Sequence, residues 1–174
     1  MPKIYYETDK FILREFIYSD TEGIFEMEKL PEVHKYIGRK HVTSIDKIRD
    51  IITHVRNQYD KYGIGRWAVI DPKTEKFMGW TGLKNETLLT NGFDNYIDLG
   101  FRFHPDYWGQ GLATETGKIS VEYGFQKMGY KEICGAAHVE NIGSNKALQK
   151  CGLKFVNEFE YDGSPHNWYS INKD

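Results

Sequence analysis

The sequence has no apolar run approaching the ~20 residues that span a bilayer as a helix, and its opening, Met1-Pro-Lys-Ile-Tyr-Tyr-Glu7, lacks the apolar core of a signal peptide. No membrane association and a cytoplasmic location are expected. Cysteine is scarce: a reducing compartment and core-like surroundings predict free thiols at Cys134 and Cys151, not a disulfide. No sign of charge dominates, because 23 lysines and arginines face 25 aspartates and glutamates, and the basic residues are spread along the chain. That leaves no electrostatic footprint for nucleic acid. The six histidines, His34, His41, His54, His104, His138 and His166, lack metal-ligand spacing such as HxxxH, so no metal is expected. Repeats, linkers and low-complexity segments are absent too, and 174 residues suit one domain over 1–174, monomeric or homodimeric.

What the chain does have is glycine and aromatic side chains, and one stretch organises both. Ile97, Leu99, Phe101 and Phe103 alternate with Asp98, Gly100 and Arg102, the period of a half-buried strand. His104-Pro105-Asp106 ends it, because proline offers no ladder amide. A helix is predicted from near Gly111 to Lys127, with Leu112, Thr116, Ile119 and Tyr123 on one face. Between strand and helix, Gly109 and Gly111 remove two side chains, so backbone amides and the positive end of the helix can meet a phosphate. The turn fails two phosphate fingerprints. The dinucleotide motif wants glycine where Thr114 stands, and the P-loop wants serine or threonine where Ile119 follows Gly117-Lys118.

The remaining elements follow from periodicity and punctuation. Lys10 to Phe16 reads as a strand, and Thr21 to Leu30 as a helix with Ser19-Asp20 as capping candidates. Pro31 to Ser44, including Arg39 and Lys40, reads as a short helix plus loop. Ile45, Ile48, Ile51, Ile52, Val55 and Tyr59 predict a helix that Gly63 stops. Arg66 to Ile70 and Phe77 to Lys84 form a hairpin, and Asn85 to Asn95 a loop. After the glycine-turn helix come a strand Glu132 to His138, a helix Ser144 to Lys150, and a closing hairpin of Leu153 to Tyr161 and Asn167 to Ile171. The order predicts an α+β fold: a mixed, mainly antiparallel sheet with helices on both faces.

Trp108-Gly-Gln-Gly-Leu-Ala-Thr-Glu115 resembles the acyl-coenzyme A pyrophosphate loop of the GNAT N-acetyltransferases, particularly the RimJ/RimL type that acetylates ribosomal-protein N-termini. Two further segments are similar, Glu7-Thr-Asp-Lys-Phe-Ile-Leu-Arg14, and Asn141-Ile-Gly-Ser144 followed by Lys150-Cys-Gly-Leu-Lys-Phe155. The resemblance implies a GNAT-like sheet whose 97–103 and 132–138 strands splay around the pantetheine arm. It implies acetyl transfer from acetyl-coenzyme A to a primary amine, on a small molecule or a protein N-terminus, by direct attack in a ternary complex. It also implies coenzyme contacts from Phe101, Phe103, Trp108, Gly109, Gln110, Gly111, Leu112, Ala113, Thr114, Asn141, Ser144 and Lys146.

Such a transfer needs a neutral amine, donors for the oxygen that gains charge, and a proton for the departing thiolate. Asp98 stands where relatives often carry glutamate and is the candidate base, directly or through water; otherwise it is a solvated carboxylate or an ion-pair partner of Arg102. Glu115 is a rival better suited to capping. Amides near Phe101 to Phe103, with a bulge at Gly100, are the oxyanion candidates. Ser144 is the candidate donor to sulfur, and with Asn141 it is equally a helix-cap residue. Trp67, Trp80, Tyr96 and Trp108 read as core or cleft wall, with Trp67 and Trp80 as acceptor-binding candidates. The segment from Pro31 to Ile64 is expected to line the acceptor site. The reading from another class is a non-catalytic acyl-coenzyme A binding or regulatory module.

Overall fold

The computed structural model describes residues 1–38 and 41–174, so Arg39 and Lys40 lie outside the described residues. Eight strands make one sheet: β1 (Ile4–Glu7), β2 (Ile12–Arg14), β3 (Arg66–Ile70), β4 (Phe77–Glu86), β5 (Tyr96–Phe103), β6 (Glu132–His138), β7 (Lys154–Tyr161) and β8 (Ser164–Asn172). Their order is β1-β2-β3-β4-β5-β6-β8-β7, and β5 with β6 is the parallel pair in an otherwise antiparallel sheet. This is the mixed, mainly antiparallel architecture that the element order predicts.

Helices α1 (Thr21–Glu28) and α2 (Ile45–Tyr62) cover one face. Ile24, Ile48, Ile52 and Val55 pack there against Ala68 and Ile70. Helices α3 (Leu112–Gln126) and α4 (Ile142–Lys150) cover the other, where Leu112, Val121 and Leu148 meet Val69, Leu83 and Leu99. Gly63, at φ 71°, ends α2 as its punctuation predicts.

Several expectations shift. β1 carries no clean alternation and is missed by periodicity, while the 10–16 strand contracts to β2. Asp20 does not cap α1 with its side chain, because its carboxylate instead receives two bonds from Arg14 and one from the Ile17 amide. Ile45 and Ile51 are exposed, so the buried stripe of α2 is narrower than its isoleucines suggest. On α3 the buried face includes Gly117, Ser120 and Gly124 alongside Leu112 and Thr116, and leaves Ile119 and Tyr123 partly exposed. Close approach explains the small residues: a Cβ on Gly117 would lie 2.5 Å from Cys151 Sγ, and one on Gly124 would lie 2.6 Å from Leu83 Cδ1. A hydrophobic-period reading gives glycine no weight and therefore misplaces the stripe.

β5 and β6 share one registered pair, Asp98 with Cys134, and then diverge. From Leu99 onward the β6-facing edge of β5 has no registered strand partner among the described residues, and a gap opens through the sheet.

Candidate active site

The gap widens into a cleft of about 1090 Å³ that runs from the glycine turn, past β5 and the start of α4, to the 31–37 segment and the loop after β4. At one end Gly109 and Gly111 adopt φ 72° and 77°, and Cβ atoms added at either would meet nothing within 4 Å. Both therefore serve a left-handed turn with open space above it, the condition for a ligand to touch backbone. Gly111 begins α3 with no side-chain cap, so amides of the first turn are left for an outside acceptor. The indole of Trp108 donates to the Phe103 carbonyl at 2.8 Å while about half the residue is exposed, which pins the turn to the end of β5. Gln110 is tied back to the Asp106 carbonyl at 3.2 Å.

Opposite the turn, Asn141 Oδ1 accepts from the Ser144 amide at 3.2 Å and caps α4, which therefore starts two residues before Ser144. Ser144 lines the cleft and its hydroxyl makes no hydrogen bond among the described residues, so capping leaves it available. Lys146 also lines this end, as do Phe101, Phe103, Leu112, Ala113 and Thr114.

A buried amide unseen in the sequence holds this corner. Asn145 donates to the carbonyls of His138 and Asn141, and its Oδ1 accepts from Asn167 and from Tyr169 Oη at 2.6 Å. Every polar atom of the side chain is used, which ties α4 to β6 and β8. Asn145→Leu keeps the volume but strands those partners, so urea unfolding should show a loss of about 2–4 kcal/mol. A loss below 0.5 kcal/mol would show that water replaces the network.

In the middle of the cleft Asp98 is bound to Arg66, not Arg102. Arg66 Nη2 donates to Asp98 Oδ2, while Nη1 donates to the carbonyls of Asp98 and Gly82. Asp98 Oδ1 carries no hydrogen bond among the described residues, and the side chain is 18% exposed. The guanidinium crosses Gly100: a Cβ there would lie 2.6 Å from Nη2. Gly100 thus makes room for Arg66, and the β4–β5 register passes it without the expected bulge. Arg102 donates instead to both oxygens of the buried Glu28, which also meets His34 Nε2 at 3.0 Å. Both guanidiniums lie over Trp80, 5.2 and 5.3 Å from its ring. Arg66 and Glu28 escaped sequence reading because each acts on a partner remote in the chain; the one signal is a charged residue at a strand start or late in a helix.

Three further expectations change. Trp67 is fully buried and stacked on Tyr5 at 4.5 Å, so it belongs to the core and cannot touch an acceptor. Glu115 lies in an exposed ion pair with Lys10 at 3.5 Å, outside the cleft lining, and caps nothing. Among the described residues of 31–64, the cleft is lined by 32, 33 and 35–37; α2 contributes none. Its walls come also from Leu88, Leu89, Tyr96, Phe159 and Tyr161. Burial pushes the Tyr96 hydroxyl up, so it stays protonated. Both cysteines are free, and burial raises Cys134 to about 12 and Cys151 to about 11, leaving inert thiols.

Comparison with known proteins bears on this cleft. A family model described as an acetyltransferase (GNAT) domain matches residues 10–154. An uncharacterized N-acetyltransferase of Bacillus subtilis (strain 168), YoaA, is 30% identical over 174 residues, covering 96% of each chain. FsC-acetyl coenzyme A-N(2)-transacetylase of Aspergillus fumigatus is 29% identical over 150 residues, 83% of this chain and 63% of that protein. Among solved structures, RimL, a ribosomal α-N-protein acetyltransferase, matches with a TM-score of 0.82 over 99% of this chain and 96% of its own. At 13% identity that likeness speaks to the fold alone.

Proposed function

Because the chain belongs to the GNAT acetyltransferases, whose domain model spans residues 10–154, we propose that it transfers an acetyl group from acetyl-coenzyme A to a primary amine by direct attack in a ternary complex. The observation that carries this reading is the parting of β5 and β6 in a cleft also lined by an uncapped helix start with two open glycines. A diphosphate fits the first-turn amides beyond Gly109 and Gly111, with Lys146 at the charged end. The pantetheine arm lies along the unpaired edge of β5, its amides meeting Asn141 and the backbone at Phe101 and Phe103.

In this reading Arg66 holds Asp98 by Oδ2 and aims Oδ1 at the acceptor. The amine nitrogen forms a bond to the acetyl carbon as the carbon–sulfur bond breaks; its proton passes to Oδ1, directly or through a water, while Ser144 Oγ–H donates a hydrogen bond to the departing thiolate, which takes its proton from water. Amides of β5 near Phe101 to Phe103 stabilise the oxygen that gains charge. The same reading makes residues 1–174 one cytoplasmic domain, close to the RimJ/RimL type, with a protein N-terminus or small-molecule amine as acceptor. No helix among the described residues is long and apolar enough to cross a membrane, which is compatible with that location.

The test is an amine and peptide panel with acetyl-coenzyme A, following free thiol release. Turnover of any amine supports transfer. The pairing of Asp98 with Arg66 favours one rival, a binding module without catalysis, and tight coenzyme binding with no turnover across the panel would establish it.

A further inference from the structure

The acceptor end of the cleft has its charges already matched. Three strand cations face three carboxylates: Arg66 on Asp98, Arg102 on Glu28, and Lys84 on Glu86 at 2.7 Å. Of the carboxylates lining the cleft, Glu32 alone lacks an ion pair among the described residues, and Lys35 lines the same turn. A polycationic acceptor would need several carboxylates free along its length, and the residues lining the cleft do not provide them.

The uncharged walls, by contrast, are prominent. Leu88 and Leu89 stand 70% and 74% exposed at the mouth. They are not on a slack loop. Glu86 Oε1 accepts from the amides of Thr87 and Leu88, Thr90 and Phe93 bond each other's backbone, and the side chains of Asn91 and Asn157 exchange two bonds. Phe93 stacks on Trp168 at 5.3 Å. An ordered loop thus keeps two leucines in water, where a hydrophobic partner would gain most from covering them. Tyr36, Phe159 and Tyr161 line the same cleft, as does Tyr96, two residues before Asp98 on β5.

Resting on the acetyl-transfer reading, we propose that the acceptor is a primary amine borne on an apolar or aromatic body, seated against Leu88, Leu89, Tyr36, Phe159 and Tyr161 with its nitrogen at Asp98, and that polyamines are excluded. One hydrogen-bonding amine end and a largely apolar wall are the usual make-up of a small-molecule site. The matched charges leave no run of free carboxylates for a second or third ammonium along the cleft lining.

The experiment reads binding, so it is independent of turnover. 2-Phenylethylamine and spermidine are titrated calorimetrically into the protein saturated with coenzyme A. The phenyl amine should bind at least tenfold more tightly than spermidine. The double variant Leu88→Ser/Leu89→Ser, changed only at exposed positions, should weaken it by about tenfold, the effect of losing part of two leucine contacts, with acetyl-coenzyme A affinity unchanged. Spermidine binding as tightly as the phenyl amine would overturn the proposal. So would unchanged phenyl amine affinity in the double variant, including the case where the leucines prove to be a dimer contact and the variant turns monomeric. If both amine results hold while no acetyl transfer is seen, the acceptor pocket stands and the transferase reading falls.

Discussion

Gly111→Val is expected to weaken coenzyme A binding by roughly 10²-fold, equivalent to about 2.7 kcal/mol. The reason is steric and electrostatic together. A valine at the start of α3 would project into the open space above the turn and hold a diphosphate away from amides whose attraction depends on direct hydrogen bonding. The substitution also carries a cost unrelated to the ligand, because φ 77° strains any β-branched residue. Gly163 supplies a matched control. It has φ 76°, its Cβ position is equally open, and it sits in the turn between β7 and β8, outside the cleft lining. Gly163→Val should lower the melting temperature about as much as Gly111→Val and leave coenzyme affinity unchanged by calorimetry. Equal loss of affinity in both variants, or none in either, would remove the glycine turn from coenzyme binding.

Asp98→Asn is expected to lower turnover by roughly 10²-fold to 10⁴-fold, the range for a positioned acid–base group, with coenzyme affinity nearly constant. It should also reduce stability, because Arg66 is 11% exposed and would lose its ionic partner. A stability loss therefore decides nothing, and the pH profile is the discriminating measurement. An α-amine of pKa about 8 is partly neutral at physiological pH, whereas a lysine-like amine near 10.4 is not. If Asp98 takes the proton, the defect shrinks as pH rises and is smaller for the acceptor of lower pKa. If Asp98 only anchors Arg66, the rate falls by the same factor at every pH and for both acceptors. Thiol release against pH, for both proteins and two amines, separates these outcomes.

The glycine-turn side of the cleft was legible in the linear chain because its signals are local. Alternation over 97–103, proline at 105, glycines at 109 and 111 and the helical run beyond them each follow from a few adjacent residues, and backbone sterics fix their conformation wherever the chain goes. The hairpins and the capped start of α4 were readable for the same cause, with boundaries off by one to three residues. The side built on the strand ion pairs was not. Arg66 meets Asp98 across 32 residues, Arg102 meets Glu28 across 74, and Asn145 meets Asn167 and Tyr169 across 22 and 24. Each pairing depends on strand register and on which helix covers which face. Even Gly100, which the alternation placed correctly, was given the wrong purpose: its lack of a side chain serves a guanidinium arriving from β3. A charged side chain encodes what it can bond to but not where its partner will be, so the identity of each ion pair arises only when the sheet closes and burial makes unpaired charge too costly to leave.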